Sequence, residues 1–496
     1  MSDGAMTQET AAATAEGAEP STTNRSTTPT SSAFTEHIQS GWAERDEPLP
    51  AARPAAAAAA AHRAAISALH PGVRLVVPAG GLKVRSNDTD YPFRPHPDFT
   101  YLTGWGSDAE PDSVLVLEPA ADGGEGHEAV LYFRGPAGRG TTEFYANAAI
   151  GEFWVGPRPS LDHVAADLGL AARDLDALDD VLADGGEALV VTGADLGVEA
   201  LLPAANPDGD VLARDLSELR LVKDAWEVAE VQAAVDATAR GFDDVIADLP
   251  AATAHERGER VVEGAFHRRA RLDGNAVGYD TIAASGHHAC YLHWTRNDGQ
   301  VREGDLILLD AGVEVDSLYT ADITRTLPIS GTFTEVQRKV YEAVREAADA
   351  AFAIVRPGIV FKEVHAAAME VIARRTAEWG ILPISAEQSL EPDQQLHRRW
   401  MVHGTSHHLG LDVHDCAQAR REFYHDGVVR EGMVFTIEPG LYFQADDLTV
   451  PEELRGIGVR IEDDIVVTAD GARNLSGGIP RTADEVEAWI AEVRAR

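Results

Sequence analysis

Cysteine is nearly absent from this chain: Cys290 and Cys416 are the only two in 496 residues. That excludes a disulfide scaffold and a four-cysteine zinc module, and it fits a reducing compartment. No run of about 18 apolar residues occurs, so no transmembrane helix is expected. The opening residues, MSDGAMTQET, lack the basic-then-apolar order of a secretory signal, which makes the cytoplasm the expected location. Basic residues are also scarce, 42 Lys and Arg against 81 Asp and Glu, for a net charge of −39. A chain this acidic repels phosphate backbones and anionic lipid, so neither nucleic acid nor a membrane surface is expected as a partner. No internal repeat is visible, which excludes solenoids and propellers.

What is present is enough to build a sizeable core, since 44% of residues are hydrophobic and 25% charged. Residues 1–45 are rich in Ala, Thr, Ser, Gly and Glu and read as a disordered tail, because such a segment buries too little surface to offset its ordering entropy. From there the texture changes. Seven alanines, Ala55 to Ala61, lead into HRAAISALHPG, a helix closed by a Pro-Gly stop. VRLVVPAG, SVLVLEP and AVLYFRG read as strands, and SLDHVAADLGLAARDLDALDDVLADGG reads as helical. The alternation predicts an α/β domain over residues 50–222. Lys223 to Ile246 has helical periodicity, and a second domain, 223–496, is expected to begin there.

The densest chemical signal is DLILLDAGVEVDSLYTADITRTLPI. Two β-rich runs flank Asp316 and Ser317. A hairpin symmetric about Asp316 would set Asp310 directly opposite Asp322, their Cβ atoms about 5 Å apart. Carboxylates that close repel one another, and their apolar neighbours predict burial, so a cation or a basic partner is called for. Further on, MVFTIEPGLYF carries Glu438 and GIGVRIEDDIVV carries Glu462, each a lone acid among apolar neighbours. Arg460 is two residues from Glu462 and is expected on the same strand face, where it would orient that carboxylate or form an ordinary surface pair. WMVHGTSHHLGLDVHD then packs His403, His407, His408 and His414 into one short stretch, and His293 precedes the aspartate hairpin in CYLHWTRND. Four strand-borne carboxylates with an imidazole suit Mn²⁺, Fe²⁺ or Co²⁺ better than thiolate-seeking metals, with Zn²⁺ also compatible. Two ions would balance the charge and supply a nucleophile near neutral pH.

The order HWT, DAG, ADITR, HGTSHHLGLDVHD, TIEPGLY and RGIGVRIEDD resembles the metallopeptidases of the pita-bread fold. Within them it is most similar to the Xaa-Pro aminopeptidases (aminopeptidase P), with the Xaa-Pro dipeptidases as near kin. The likeness covers residues 223–490, and YPFRPHPDFTYLTGW extends it into the N-terminal region. The resemblance implies an α/β (α+β) fold, a creatinase-like N-terminal domain ahead of a pita-bread catalytic domain. It implies a dinuclear centre, most often of manganese, held by Asp310, Asp322, His407, Glu438 and Glu462, with a hydroxide bridging the ions. Glu438 would also shuttle the proton. His293, His403 and His414 would line the site, and Arg460 and Tyr442 match further active-site positions. The implied substrates are peptides with an N-terminal Xaa-Pro sequence, and the implied assembly is a homodimer or homotetramer in which a tryptophan, here Trp154, reaches a neighbouring subunit. Two alternatives stand beside this reading: a dipeptidase, and an inactive binding protein of the same fold. The chain departs from the usual pattern at His408, where an aromatic is common, and at His287 and His288, which replace Glu-Asn. Motif spacing favours His407 over His408 as the metal ligand.

Overall fold

The computed structural model describes residues 28–43, 48–87, 89–120, 126–183 and 186–496. A five-stranded sheet organises the N-terminal part, in the spatial order Ala171–Asp174, His127–Phe133, Val114–Pro119, Arg74–Pro78, Ala188–Val190. The three central strands pair antiparallel, and both edge strands join in parallel. Val114–Leu117 and Leu75–Val77 are buried on both faces, which is why these strands read as unbroken apolar runs rather than alternating ones. The alanine-rich segment forms the helix Ala55–Leu69, ending just before Pro71 and Gly72.

Two expectations need correcting. The tail read as disordered lies partly outside the described residues, at 1–27 and 44–47, but Ser32–Gln39 is a helix capped by Ser31. Aromatic contacts explain its order: Phe34 meets Tyr145 edge-on at 5.3 Å and Trp42 meets Phe144 at 5.8 Å. The stretch read as continuously helical holds a strand as well. Helix Leu161–Leu168 stops at Gly169, which takes a left-handed φ of 64°, and Ala171–Asp174 then adds to the sheet edge before helix Leu178–Leu182. An exposed edge strand needs no apolar alternation, so it leaves little trace in the pattern.

The connection to the C-terminal part runs through helix Val211–Arg220 and into a long helix, Ala225–Thr253. Asp224 caps that helix and Glu227 closes a capping box, a combination that stabilises a helix start by about 1 kcal/mol. Two three-stranded antiparallel sheets follow. One orders Ile323–Pro328, Leu306–Ala311 and Ile282–Ser285, and the other orders Val434–Ile437, Asp463–Thr468 and Gly471–Asn474. A two-stranded ribbon, Gly440–Tyr442 with Gly458–Arg460, lies in sequence between the first two strands of the second sheet. Helices Gly258–Asp273, Glu335–Ile354, Lys362–Glu378 and Ala483–Ala495 also belong to this part. Among the described residues no helix is long and apolar enough to cross a membrane.

Candidate metal centre

The aspartate hairpin forms, with a register different from the symmetric expectation. Asp310 lies opposite Thr324, so the ladder is centred on Ser317 rather than Asp316, and Asp322 is diagonal to Asp310 rather than directly across. The turn is not a tight two-residue one. Glu314 bridges Thr320, Leu318 adopts φ 71°, and Ser107 of the N-terminal part donates to the Asp316 carbonyl at 2.8 Å. A register moved by two residues keeps both acids on one face, because side-chain direction repeats every second residue. The two carboxylates converge on the Tyr279 hydroxyl, whose oxygen is 2.6 Å from Asp310 Oδ1 and 2.5 Å from Asp322 Oδ1.

From the second sheet and its ribbon come the other two acids. Glu438 sits at the corner between Val434–Ile437 and Gly440–Tyr442, held by its N–H bond to the Thr405 carbonyl. Glu462 lies between Gly458–Arg460 and Asp463–Thr468, and the Thr324 hydroxyl donates to its Oε2 at 2.8 Å. Arg460 therefore does not pair with its near neighbour Glu462. The strand ends at Arg460, and its guanidinium crosses to Asp310 Oδ2 while also reaching Tyr442 Oη at 3.1 Å and Thr324 Oγ1 at 3.0 Å.

The histidines separate by direction. His407 Nε2 points at the acids: 3.3 Å from Asp322, 3.8 Å from Glu438 and 3.9 Å from Glu462 Oε1. His408 turns the opposite way, into an aromatic slot of Phe361, Tyr424 and Phe435. His414 packs edge-on against His407, ring centres 4.4 Å apart. His403 contacts Tyr442 Oη through Nε2 at 2.8 Å, and its Nδ1 is 3.5 Å from Glu438. His293, His403, His407 and His414 line one open cavity of about 810 Å³ with the four acids, and its other walls include Ile282, Leu292 and Val413.

The electrostatics are unbalanced. Burial, helped by the charges of Asp322 and Asp310 against the pull of His407 and Arg460, pushes Glu438 up to about 8. Burial and the neighbouring charges of Asp322, Glu438 and Asp310 drive Glu462 well above the carboxylate range. Burial also raises Asp310 despite Arg460. For His407, burial opposes the charged form, but the hydrogen bond to Asp322 and the charge of Glu438 outweigh it and hold the ring at about 9. Asp322 is held low by that same partner, against its own burial. His403 falls to about 3 through burial and the nearby Arg460 charge.

One atom tests the fit to a cation. Glu462 Oε1 is buried and has no hydrogen-bond donor among the described residues. The Asp322 and Glu462 carboxylates and the His407 imidazole each offer an atom that could bind a metal, and these atoms all lie within 4.8 Å of one another. Four buried carboxyl groups beside one arginine and one imidazole cannot all ionise together unless a further cation neutralises them, which is why several of them are pushed towards the protonated form. The oxygen-dominated donor set suits a divalent metal of that preference. Two groups in the site escaped sequence reasoning. Tyr279 is a lone tyrosine before a strand and carries no motif signal. Asp464, whose Oδ2 accepts the Asp322 N–H at 3.1 Å, was masked by standing next to Asp463.

A cavity walled by buried carboxylates and imidazoles, on paired β-sheets wrapped by helices, defines a metal-dependent hydrolase. The chain belongs to metallopeptidase family M24, whose model matches residues 229–469, while a model of the aminopeptidase P N-terminal domain matches 59–189. Xaa-Pro aminopeptidase 1 of Streptomyces coelicolor is 53% identical over 467 residues, 92% of each chain. The Xaa-Pro aminopeptidase of Escherichia coli is 33% identical, over 87% of this chain and 97% of that one. Among solved structures, a Pseudomonas aeruginosa aminopeptidase superposes with a TM-score of 0.77 at 31% identity, covering 90% of this chain and all of that one. A zinc-substituted Escherichia coli aminopeptidase P in complex with product gives 0.76 at 31% identity, covering 89% and 99%. The pita-bread architecture and the α/β (α+β) class expected from the motifs are thus the architecture of this chain.

Proposed function

We propose that the chain removes the N-terminal residue from peptides whose second residue is proline, using two divalent ions, Mn²⁺ by preference, held by Asp310, Asp322, His407, Glu438 and Glu462. The observation that carries this reading is the buried, donorless Glu462 Oε1 facing His407 and Asp322. When bound, the ions supply Lewis acidity that lowers the pKa of water and polarises the scissile carbonyl.

The chain's own residues do the rest. An Xaa-Pro amide is tertiary and its nitrogen carries no proton, so the prolyl nitrogen must receive one to leave. Glu438 takes a proton from the attacking water and delivers it to that nitrogen. His403, His414 and His293 line the cavity, where they hold the scissile carbonyl oxygen and the proline. Arg460 holds Asp310 in place and Tyr442 Oη supports His403. Ile282, Leu292 and Val413 offer the proline ring an apolar surface.

The proposal includes a domain junction near residues 222–224, a cytoplasmic location, and a homodimer or homotetramer that covers the consecutive exposed Phe153, Trp154 and Val155. Sedimentation of the wild type and of Trp154→Ala tests the assembly. The activity is tested on Xaa-Pro-Xaa tripeptides and Xaa-Pro dipeptides after chelation and readdition of single metals. Release of the first residue from tripeptides, best with Mn²⁺, is expected. Cleavage of dipeptides alone would make the chain a dipeptidase, and no cleavage with any metal would make it a binding protein.

A further inference from the structure

The segment 401–405, which carries His403, has no regular secondary structure, and Val402 within it is exposed. One guanidinium gathers three of its carbonyls. Arg398, in the short turn Leu396–Trp400, donates through Nε to the Met401 carbonyl at 2.6 Å. Through Nη2 it donates to the carbonyls of Val402 at 2.7 Å and His403 at 3.0 Å. Three successive carbonyls thus converge on one planar fork, a geometry that lysine cannot reproduce.

The remaining arm of the fork is held by a residue far away in sequence. Arg398 Nη1 lies 3.0 Å from His365 Nε2, and His365 Nδ1 lies 2.8 Å from Thr405 Oγ1. A guanidinium only donates, so His365 Nε2 must be the acceptor and Nδ1 must carry the hydrogen it gives to Thr405. The ring is therefore neutral in one defined tautomer. Burial and the adjacent Arg398 charge agree, pushing His365 down to about 4. The Thr405 carbonyl in turn accepts the Glu438 N–H at 2.8 Å. His365 stands on helix Lys362–Glu378, which packs against helix Glu335–Ile354 and lies outside the carboxylate cluster.

We infer that His365 and Arg398 are a pair of positioning residues that set His403 and, through Thr405, Glu438 for the peptidase reaction. The inference deepens the reading of His403 and Glu438 given above and rests on it. Neither residue touches substrate. Each acts by fixing backbone: Arg398 clamps three carbonyls before the glycine, and His365 aims Arg398 while tying Thr405 from the other side.

The test compares the wild type with His365→Leu, His365→Gln and Arg398→Lys, each checked for an unchanged melting profile and metal content. His365→Leu and Arg398→Lys are expected to lower kcat on an Xaa-Pro-Xaa tripeptide about 10- to 100-fold with KM nearly constant, the size typical of lost support behind an active-site group. Gln places an oxygen near the Nε2 position and still accepts from Arg398, so His365→Gln should recover most of the loss. The double variant should fall no further than either single change. Hydrogen exchange of the peptide spanning 396–408 gives a readout independent of activity, and faster exchange is expected in His365→Leu but not in His365→Gln. Unchanged kcat in His365→Leu, additive losses in the double variant, or unchanged exchange would each overturn the inference. If the wild type cleaves no Xaa-Pro peptide, the functional reading fails, and the exchange comparison still decides whether the pair positions this segment.

Discussion

Tyr279 Oη lies 2.6 Å from Asp310 Oδ1 while standing 2.5 Å from Asp322 Oδ1. A hydroxyl has one hydrogen, so it satisfies only one of the two carboxylates at a time. The other then relies on its basic neighbour, Arg460 at Asp310 or His407 at Asp322. This shared hydroxyl ties the two strands of the hairpin together at the point where their charges are least comfortable.

Replacing Tyr279 with Phe removes that tie without disturbing the packing of the ring. Metal affinity, measured by competition with a chelator, should fall about 10- to 100-fold, as is usual when a ligand loses its supporting hydrogen bond. Catalytic rate should fall with it. An unchanged affinity would show that the hydroxyl merely fills space.

Glu462→Gln should separate stability from function. In the metal-free protein burial and the neighbouring acids keep Glu462 protonated and neutral, so the neutral Gln should leave the stability of that form nearly unchanged. The same change should abolish the stabilisation that added metal gives the wild type. Melting curves with and without Mn²⁺ decide both halves. Destabilisation of the metal-free form would mean the carboxylate has a partner in solution.

The pH dependence of the metal-free protein follows from two raised groups. Glu438, lifted to about 8, and His407, lifted to about 9, both bind protons more tightly in the folded state than in the unfolded chain. Their contribution to stability is complete below their unfolded values and is lost as pH rises through 8 and 9. The metal-free protein should therefore lose thermal stability between about pH 5 and 9, and metal, which binds the deprotonated ligands, should reverse the slope. Calorimetry in buffers of different ionisation enthalpy should record proton release on metal binding. A melting temperature that rises steadily across this range without metal would refute the argument.

His408→Phe is expected to be harmless or beneficial. His408 is fully buried, neither ring nitrogen has a partner among the described residues, and Phe361 stacks on it at 4.7 Å. An aromatic of similar size removes an unsatisfied N–H, worth about 1 kcal/mol. Turnover should stay near the wild-type level. His407→Ala, one residue earlier, should eliminate it, as should Asp310→Ala and Glu438→Ala. Comparable losses at 407 and 408 would mean the two rings share the work.

Much of this molecule was legible from residue order. The alanine helix, the three apolar strands and the Asp224-capped helix each declare themselves within a window of a few residues. The register of the aspartate hairpin did not, because the turn is shaped by Ser107 of the N-terminal part holding the Asp316 carbonyl. The edge strand Ala171–Asp174 was hidden for a related reason: only Ala172 is even half-buried, so little constrains its pattern.

By itself the sequence determined which chemistry is present: lone acids in apolar strands, a histidine-dense segment and the motif order that marks the family. It could do so because residue type and local spacing are written directly in the chain. Only the tertiary structure decided who faces whom. Arg460 serves Asp310 rather than Glu462, His407 turns inward where His408 turns away, and Tyr279 and His365 join from distant elements. Those choices depend on strand register and on contacts between residues far apart in the chain, and local patterning carries no information about either.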